Sequence, residues 1–167
     1  MENFNFLYIF LAALAPFLIG FIWYHPKVLG TAWMNAAGLN EEKLKGGNMA
    51  ITFGLAFVFN LMLAFMLYFI VVHQTGVFGV FAGVPDFADH NSETYKTFQS
   101  IIEKYGHVAR TFKHGALHGG MAAILFALPV VAINALFERK GFKFIAINAG
   151  YWLVNLMIMG GIICAFA

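Results

Sequence analysis

Charge is scarce in this chain, and four stretches have none: residues 3–26, 46–85, 114–137 and 144–167 contain no Asp, Glu, Lys or Arg. Charged residues make up 11% of the sequence against 61% hydrophobic, and the mean hydropathy is +0.77. So little polar surface cannot cover a water-soluble globule. A hydrocarbon core about 30 Å thick is crossed by about 20 apolar helical residues, and a charge near its centre costs about 2.5 to 3.5 kcal/mol on insertion scales. The charge-free stretches therefore predict an all-α, integral membrane four-helix bundle. Its spans fall at about residues 4–23, 49–72, 115–137 and 142–166.

Other scarcities narrow the function. Cys164 is the single cysteine, so no internal disulfide can form. The formal net charge is only +2, and its Lys and Arg lie beside spans instead of forming a tract, which argues against a nucleic-acid partner. Four spans leave no room for a separate catalytic domain, so residues 1–167 read as one membrane domain whose first partner is the lipid bilayer. No Ser/His/Asp arrangement, paired carboxylates or phosphate loop is present. Ala13-Leu14-Ala15 resembles a signal cleavage site, but the preceding region carries Glu2 and no Lys or Arg, and Pro16 follows the supposed cut; the stretch reads as a retained first span.

Lys27, Lys43 and Lys45 lie in the first loop and Arg139, Lys140 and Lys143 in the third. Lys96, Lys104, Arg110 and Lys113 lie in the long second loop, residues 73–114, which also holds Asp86, Asp89, Glu93 and Glu103. The positive-inside bias places loops one and three in the cytoplasm, and both termini and the second loop outside, for a multi-pass protein of the bacterial inner membrane. Trp23, Tyr24 and Trp33 suit the headgroup level as interface anchors. In the first loop, Leu29, Trp33 and Ala36 or Ala37 recur at helical spacing before Gly38, a C-cap, and Asn40 can cap a turn through Glu41, Glu42 and Leu44. The second loop opens with a Gly/Phe stretch from Gly76 to Gly83, expected to re-enter the interface or pack on the bundle. From Ser92 to Tyr105 an interfacial amphipathic helix is predicted, with Tyr95, Phe98, Ile101, Ile102 and Tyr105 on one side and Gly106 closing it. It is expected to lie on the membrane or to dock a partner.

Polar residues inside apolar spans must find partners in the bundle, which makes them the candidate functional residues. His107, Arg110, His114 and His118 stand at i, i+3, i+7 and i+11, one helical face if the third span begins early. His73 and His90 fall on the same side of the membrane. Three readings stay open: histidines satisfied by interhelical hydrogen bonds or headgroups, a proton or anion site, and a metal or haem site with His73 and His118 as axial ligands. Arg110 within the row disfavours a cation, and Cys164 offers no thiolate motif, so no cofactor is predicted.

Gly115 and Gly119 form a GxxxG pair, continued by Ala123, at which another backbone can approach closely. Ala146, Gly150 and Gly160 are small residues of the fourth span. Asn148, Tyr151 and Asn155 line a second stripe there, which Asn60 and Asn134 could answer through structural hydrogen bonds or around a bound solute. Pro16 and Pro129 can each kink a span, a weak sign of a helical-hairpin repeat.

Gly20-Phe21-Ile22-Trp23-Tyr24-His25-Pro26, Gly30 with Ala32-Trp33-Met34, Lys113-His114-Gly115-Ala116-Leu117-His118-Gly119 and Ile147-Asn148-Ala149-Gly150-Tyr151 resemble a known family. It is the small four-span bacterial membrane protein family catalogued as domain of unknown function 1761. The resemblance touches three of the four spans and covers most of the chain. It implies a fold and a membrane location, and supplies no reaction, substrate or catalytic residue.

Three classes of function follow. A non-enzymatic subunit that forms a homo-oligomer or serves a larger membrane assembly is favoured by the GxxxG pair, the aromatic second loop and the absence of a charged intramembrane pair. A small carrier or channel for a proton, ion or solute is favoured by the histidine row and the Asn stripes. A metal- or haem-dependent membrane enzyme has the least support.

Overall fold

A computed structural model describes residues 5–40, 42 and 47–167. The regular structure among them is helical: α1 Phe6–Trp23, α2 Thr31–Ala37, α3 Met49–Val71, α4 Gln74–Ala82, α5 Glu93–Tyr105, α6 Phe112–Phe137 and α7 Phe142–Phe166. Helices α1, α3, α6 and α7 are long and apolar enough to cross a membrane, and apart from the first two residues of α6 and of α7, which include Lys113 and Lys143, they fall within the charge-free stretches. The third span begins at Phe112, ahead of the expected Gly115, because Thr111 caps it: the His114 backbone N–H donates to Thr111 Oγ1 at 3.2 Å.

Alanines share the inside of this bundle with Ile9, Leu67, Met159 and Ile163, while many large apolar side chains face outward. Ala12, Ala13, Ala64, Ala123 and Ala135 are buried, whereas Phe137 and Phe142 are 88% and 82% exposed. In lipid no hydrophobic force draws bulky apolar side chains inward, so close backbone approach decides the packing. Helix α7 is central, packing against α1, α3 and α6. A Cβ at Gly115 would sit 2.0 Å from the Gly160 carbonyl oxygen, and one at Gly119 would sit 1.9 Å from that of Leu156. The GxxxG pair is thus spent on an α6–α7 joint within the same chain.

The two prolines are absorbed differently. Pro16 lies within α1 without ending it, while Pro129 follows a π-helical turn, Ala123–Ala127, that accommodates the hydrogen bond proline cannot make.

At one end of the bundle, α1 runs through a π-helical turn, Pro26–Gly30, into α2, and Gly38 closes α2 at φ 72° as its position predicts. Lys140 Nζ donates to the Ala37 carbonyl oxygen at that closure. Apart from Glu42, the turn expected from Glu41 to Leu44 lies outside the described residues.

At the other end, α4 and α5 form a hairpin, so the Gly/Phe stretch is helical. Ser92 caps α5, accepting from the Tyr95 N–H at 3.0 Å. The rings of Phe78, Phe81 and Phe87 surround Phe98 at centroid distances of 6.2, 5.7 and 5.2 Å and leave it only 4% exposed. The apolar side of the amphipathic helix therefore has a partner within the chain.

Candidate metal centre

His73 stands in the two-residue turn between α3 and α4. Thr75 pins that turn by donating its hydroxyl to the Val72 carbonyl at 2.7 Å. The Thr111 cap sets the start of α6, so His114 falls in its first turn and His118 one turn later on the same face. The two ends of the second loop thereby meet. The His73 ring centroid is 4.8 Å from that of His114 and 4.7 Å from that of His118, and the latter two are 4.4 Å apart.

One nitrogen of each ring lies within 4.8 Å of those of the other two. Zinc–nitrogen bonds of about 2.0–2.1 Å at tetrahedral angles put donor nitrogens about 3.3 Å apart, a closure within reach of ring rotation. His114 Nε2 is buried and has no hydrogen-bond partner. Leaving such an atom unpaired costs roughly 1–3 kcal/mol, which a coordinated ion would offset. His73 is exposed and the other two are half-buried, so the group is open on one side.

Neutral imidazoles suit Zn²⁺, Cu²⁺, Ni²⁺ or Fe²⁺, whereas Ca²⁺ and Mg²⁺ want oxygen ligands. Among the described residues no carboxylate or thiolate joins the group. A four-coordinate ion held here would keep one position for water or another donor. With 4.7 Å between their centroids, His73 and His118 leave no slot for a porphyrin between them.

Arg110 and His107 stand apart from the three imidazoles. Ala109 takes φ 64°, the chain turns before Thr111, and the expected helical row is broken there. Arg110 Nε donates to the Cys164 carbonyl at 2.8 Å and its Nη2 to that of Ala167. A cation there complements the carbonyls that the end of α7 leaves without helical partners. The charge that seemed to disfavour a metal is thus committed elsewhere. His107 lines a cleft of about 570 Å³ together with Arg110, Gln99 and Glu103. His90 stacks on Tyr95, centroids 4.2 Å apart. Of the five histidines expected at this end, three converge.

Among the described residues none of the candidate asparagines Asn60, Asn148 and Asn155 joins the three histidines, and of these only Asn148 bonds to another part of the bundle, while Asn155 Oδ1 is buried without a hydrogen-bond partner. Asn155 is fully buried in the middle of α7, with Nδ2 donating to the Tyr151 carbonyl at 2.8 Å, and Asn60 is buried in α3. Asn148 belongs to the opposite end of the bundle, where its Oδ1 accepts from the Tyr24 hydroxyl at 3.3 Å. Burial, reinforced by Tyr151, pushes the Tyr24 pKa up and keeps that hydroxyl a donor. Trp23 Nε1 donates to the Ile147 carbonyl at 3.1 Å, and a Cβ at Gly150 would lie 3.1 Å from the Trp23 ring. Tyr24 packs on Trp33 with centroids 5.2 Å apart. Trp23, Tyr24 and Trp33, the expected interface anchors, also make joints between α1, α2 and α7.

Sequence reasoning did not bring these motif segments together, nor single out His73 with His114 and His118 as a set of three. The available signal was positional: His73 and His114 each stand at the end of an apolar span on the same side, and His118 follows at i+4.

The family model described as Protein of unknown function (DUF1761) matches residues 7–164. No curated protein and no solved structure matches the chain.

Proposed function

The chain belongs to the DUF1761 family, and we propose that it is a multi-pass membrane protein that binds one divalent transition-metal ion through His73, His114 and His118. One observation carries this reading: three imidazoles from two separate parts of the chain converge with a nitrogen each inside 4.8 Å, and the buried His114 nitrogen has no other partner. The centre sits at the second-loop end of the bundle, the outer side of a bacterial inner membrane by the Lys and Arg distribution. Three neutral ligands leave the ion its full charge and an open position. That combination suits an accessory subunit that offers a metal, or receives one, within a membrane assembly. It replaces an oligomer argument based on Gly115 and Gly119, since both are used against α7.

Detergent-purified protein loaded separately with Zn²⁺, Cu²⁺ and Ni²⁺ and then desalted is expected to retain one equivalent of at least one ion. The His114→Ala and His118→Ala variants are expected to retain none. Wild-type protein that emerges metal-free from all three loadings overturns the proposal.

A further inference from the structure

We infer that the metal acts as a latch, fastening the α4–α5 hairpin to the membrane-spanning bundle; this rests on the metal-binding reading above. The chain leaves the bundle at Val72 and re-enters it at Phe112. His73 is the first residue after that exit turn begins, and His114 and His118 occupy the first two turns after the return. An ion bound by all three closes the excursion at its base.

The hairpin has its own packing, which makes such a closure consequential. Phe98 is enclosed by Phe78, Phe81 and Phe87, and Thr94 donates its hydroxyl to Asp86 at 3.0 Å. Helices α4 and α5 pack chiefly on each other. Gln74 Nε2 donates to the carbonyls of Gly106 and Val108 at 2.8 and 3.1 Å, which ties the two arms of the excursion together, and the returning arm is held to α7 by Arg110 and by the Cys164 thiol on the Ala109 carbonyl. At the base itself the three imidazoles meet only through ring contacts. An ion would replace contacts between rings with three bonds, one from the hinge and two from α6.

The same hinge borders both clefts at this end. His73 and Gln74 line a small apolar one of about 190 Å³ with Val77, Ile101, Ile102 and Tyr105. Gln74 and Thr75 line the larger cleft beside Arg110. Locking the hinge therefore sets how the hairpin stands over the bundle and how far these clefts open.

The test is hydrogen exchange on the full chain in detergent micelles, with and without Zn²⁺, while bound zinc is counted in the same samples. When zinc is present at about 100 times its dissociation constant, openings that break the site are suppressed by about 100-fold. Amides of α4 and α5 are expected to exchange correspondingly more slowly while the middle of α7 does not change. His73→Ala should abolish that protection, and His118→Gln should do so independently if His73→Ala folds poorly. One retained zinc with unchanged hairpin exchange would refute the latch and leave the metal site standing. Should zinc not be retained, the same comparison is run with Cu²⁺ or Ni²⁺, and retention of none of the three would refute both.

Discussion

The Tyr151 hydroxyl donates to the Pro16 carbonyl oxygen at 2.9 Å, joining α7 to α1 across 135 residues of sequence. The approach depends on Gly20, one turn beyond Pro16, since a Cβ there would lie 3.3 Å from that hydroxyl oxygen. Pro16, together with a glycine and a tyrosine from two of the family-like segments, thus makes one joint. Removing the hydroxyl isolates its contribution: Tyr151→Phe keeps the ring and is expected to lower stability by about 0.5–1.5 kcal/mol. Reversible unfolding in mixed micelles measures it, and an unchanged midpoint would show that the bond does not hold the spans together.

Close approach of α6 to α7 makes a sharper case. Gly119→Ala would place a methyl 1.9 Å from the Leu156 carbonyl oxygen, and backbone cannot rotate away as a side chain can. Although alanine favours a helix by roughly 0.5–1 kcal/mol over glycine, the net change is expected to be a loss of about 1–3 kcal/mol. Gly54→Ala on α3 meets nothing within 4 Å and serves as the control that should be neutral or slightly stabilising. Equal melting temperatures for the two variants would contradict the packing described.

Arg110 and Cys164 give a labelling readout. The thiol is fully buried, with Sγ 3.3 Å from the carbonyls of Val71 and Ala109. Native protein should therefore resist a water-soluble maleimide. Arg110→Gln loses the charged cap on α7, and local opening made easier by one to two kcal/mol would speed labelling by roughly 5- to 30-fold. A rate equal to that of wild type would mean the cap does not hold this end closed.

Tyr24 makes a prediction about alkaline pH. Its pKa is raised by burial, so the stability it brings through Asn148 is fully present below the ordinary tyrosine range, about 10, and declines as pH rises toward the elevated value. The advantage of wild type over Tyr24→Phe should be flat from pH 7 to about 10 and shrink above it. An advantage that grew with pH would reverse the assignment.

Much of this architecture was legible because its causes are local. Ser92 and Gly38 cap their helices through side-chain or backbone geometry within a few residues, whereas the Thr111 cap, equally local, starts the third span ahead of the expected Gly115. His114 and His118 share a face by helical spacing alone. Arg110 misled as a member of that row, because its place depends on the Ala109 turn and on carbonyls of α7 more than fifty residues away. His73 was visible as a residue of the same side, yet its meeting with α6 required the docking of α3 beside it.

By itself the sequence determined the solvent: four stretches without charge can only be helices in lipid, where each backbone group must find its partner inside the segment. It also marked Gly115 and Gly119 as places of close approach. Which backbone comes close was decided by the tertiary structure, since lipid supplies no hydrophobic bias and the partner is chosen by shape. That choice spends the glycines on α7, sends Arg110 to the end of the same helix, and leaves three imidazoles facing one another.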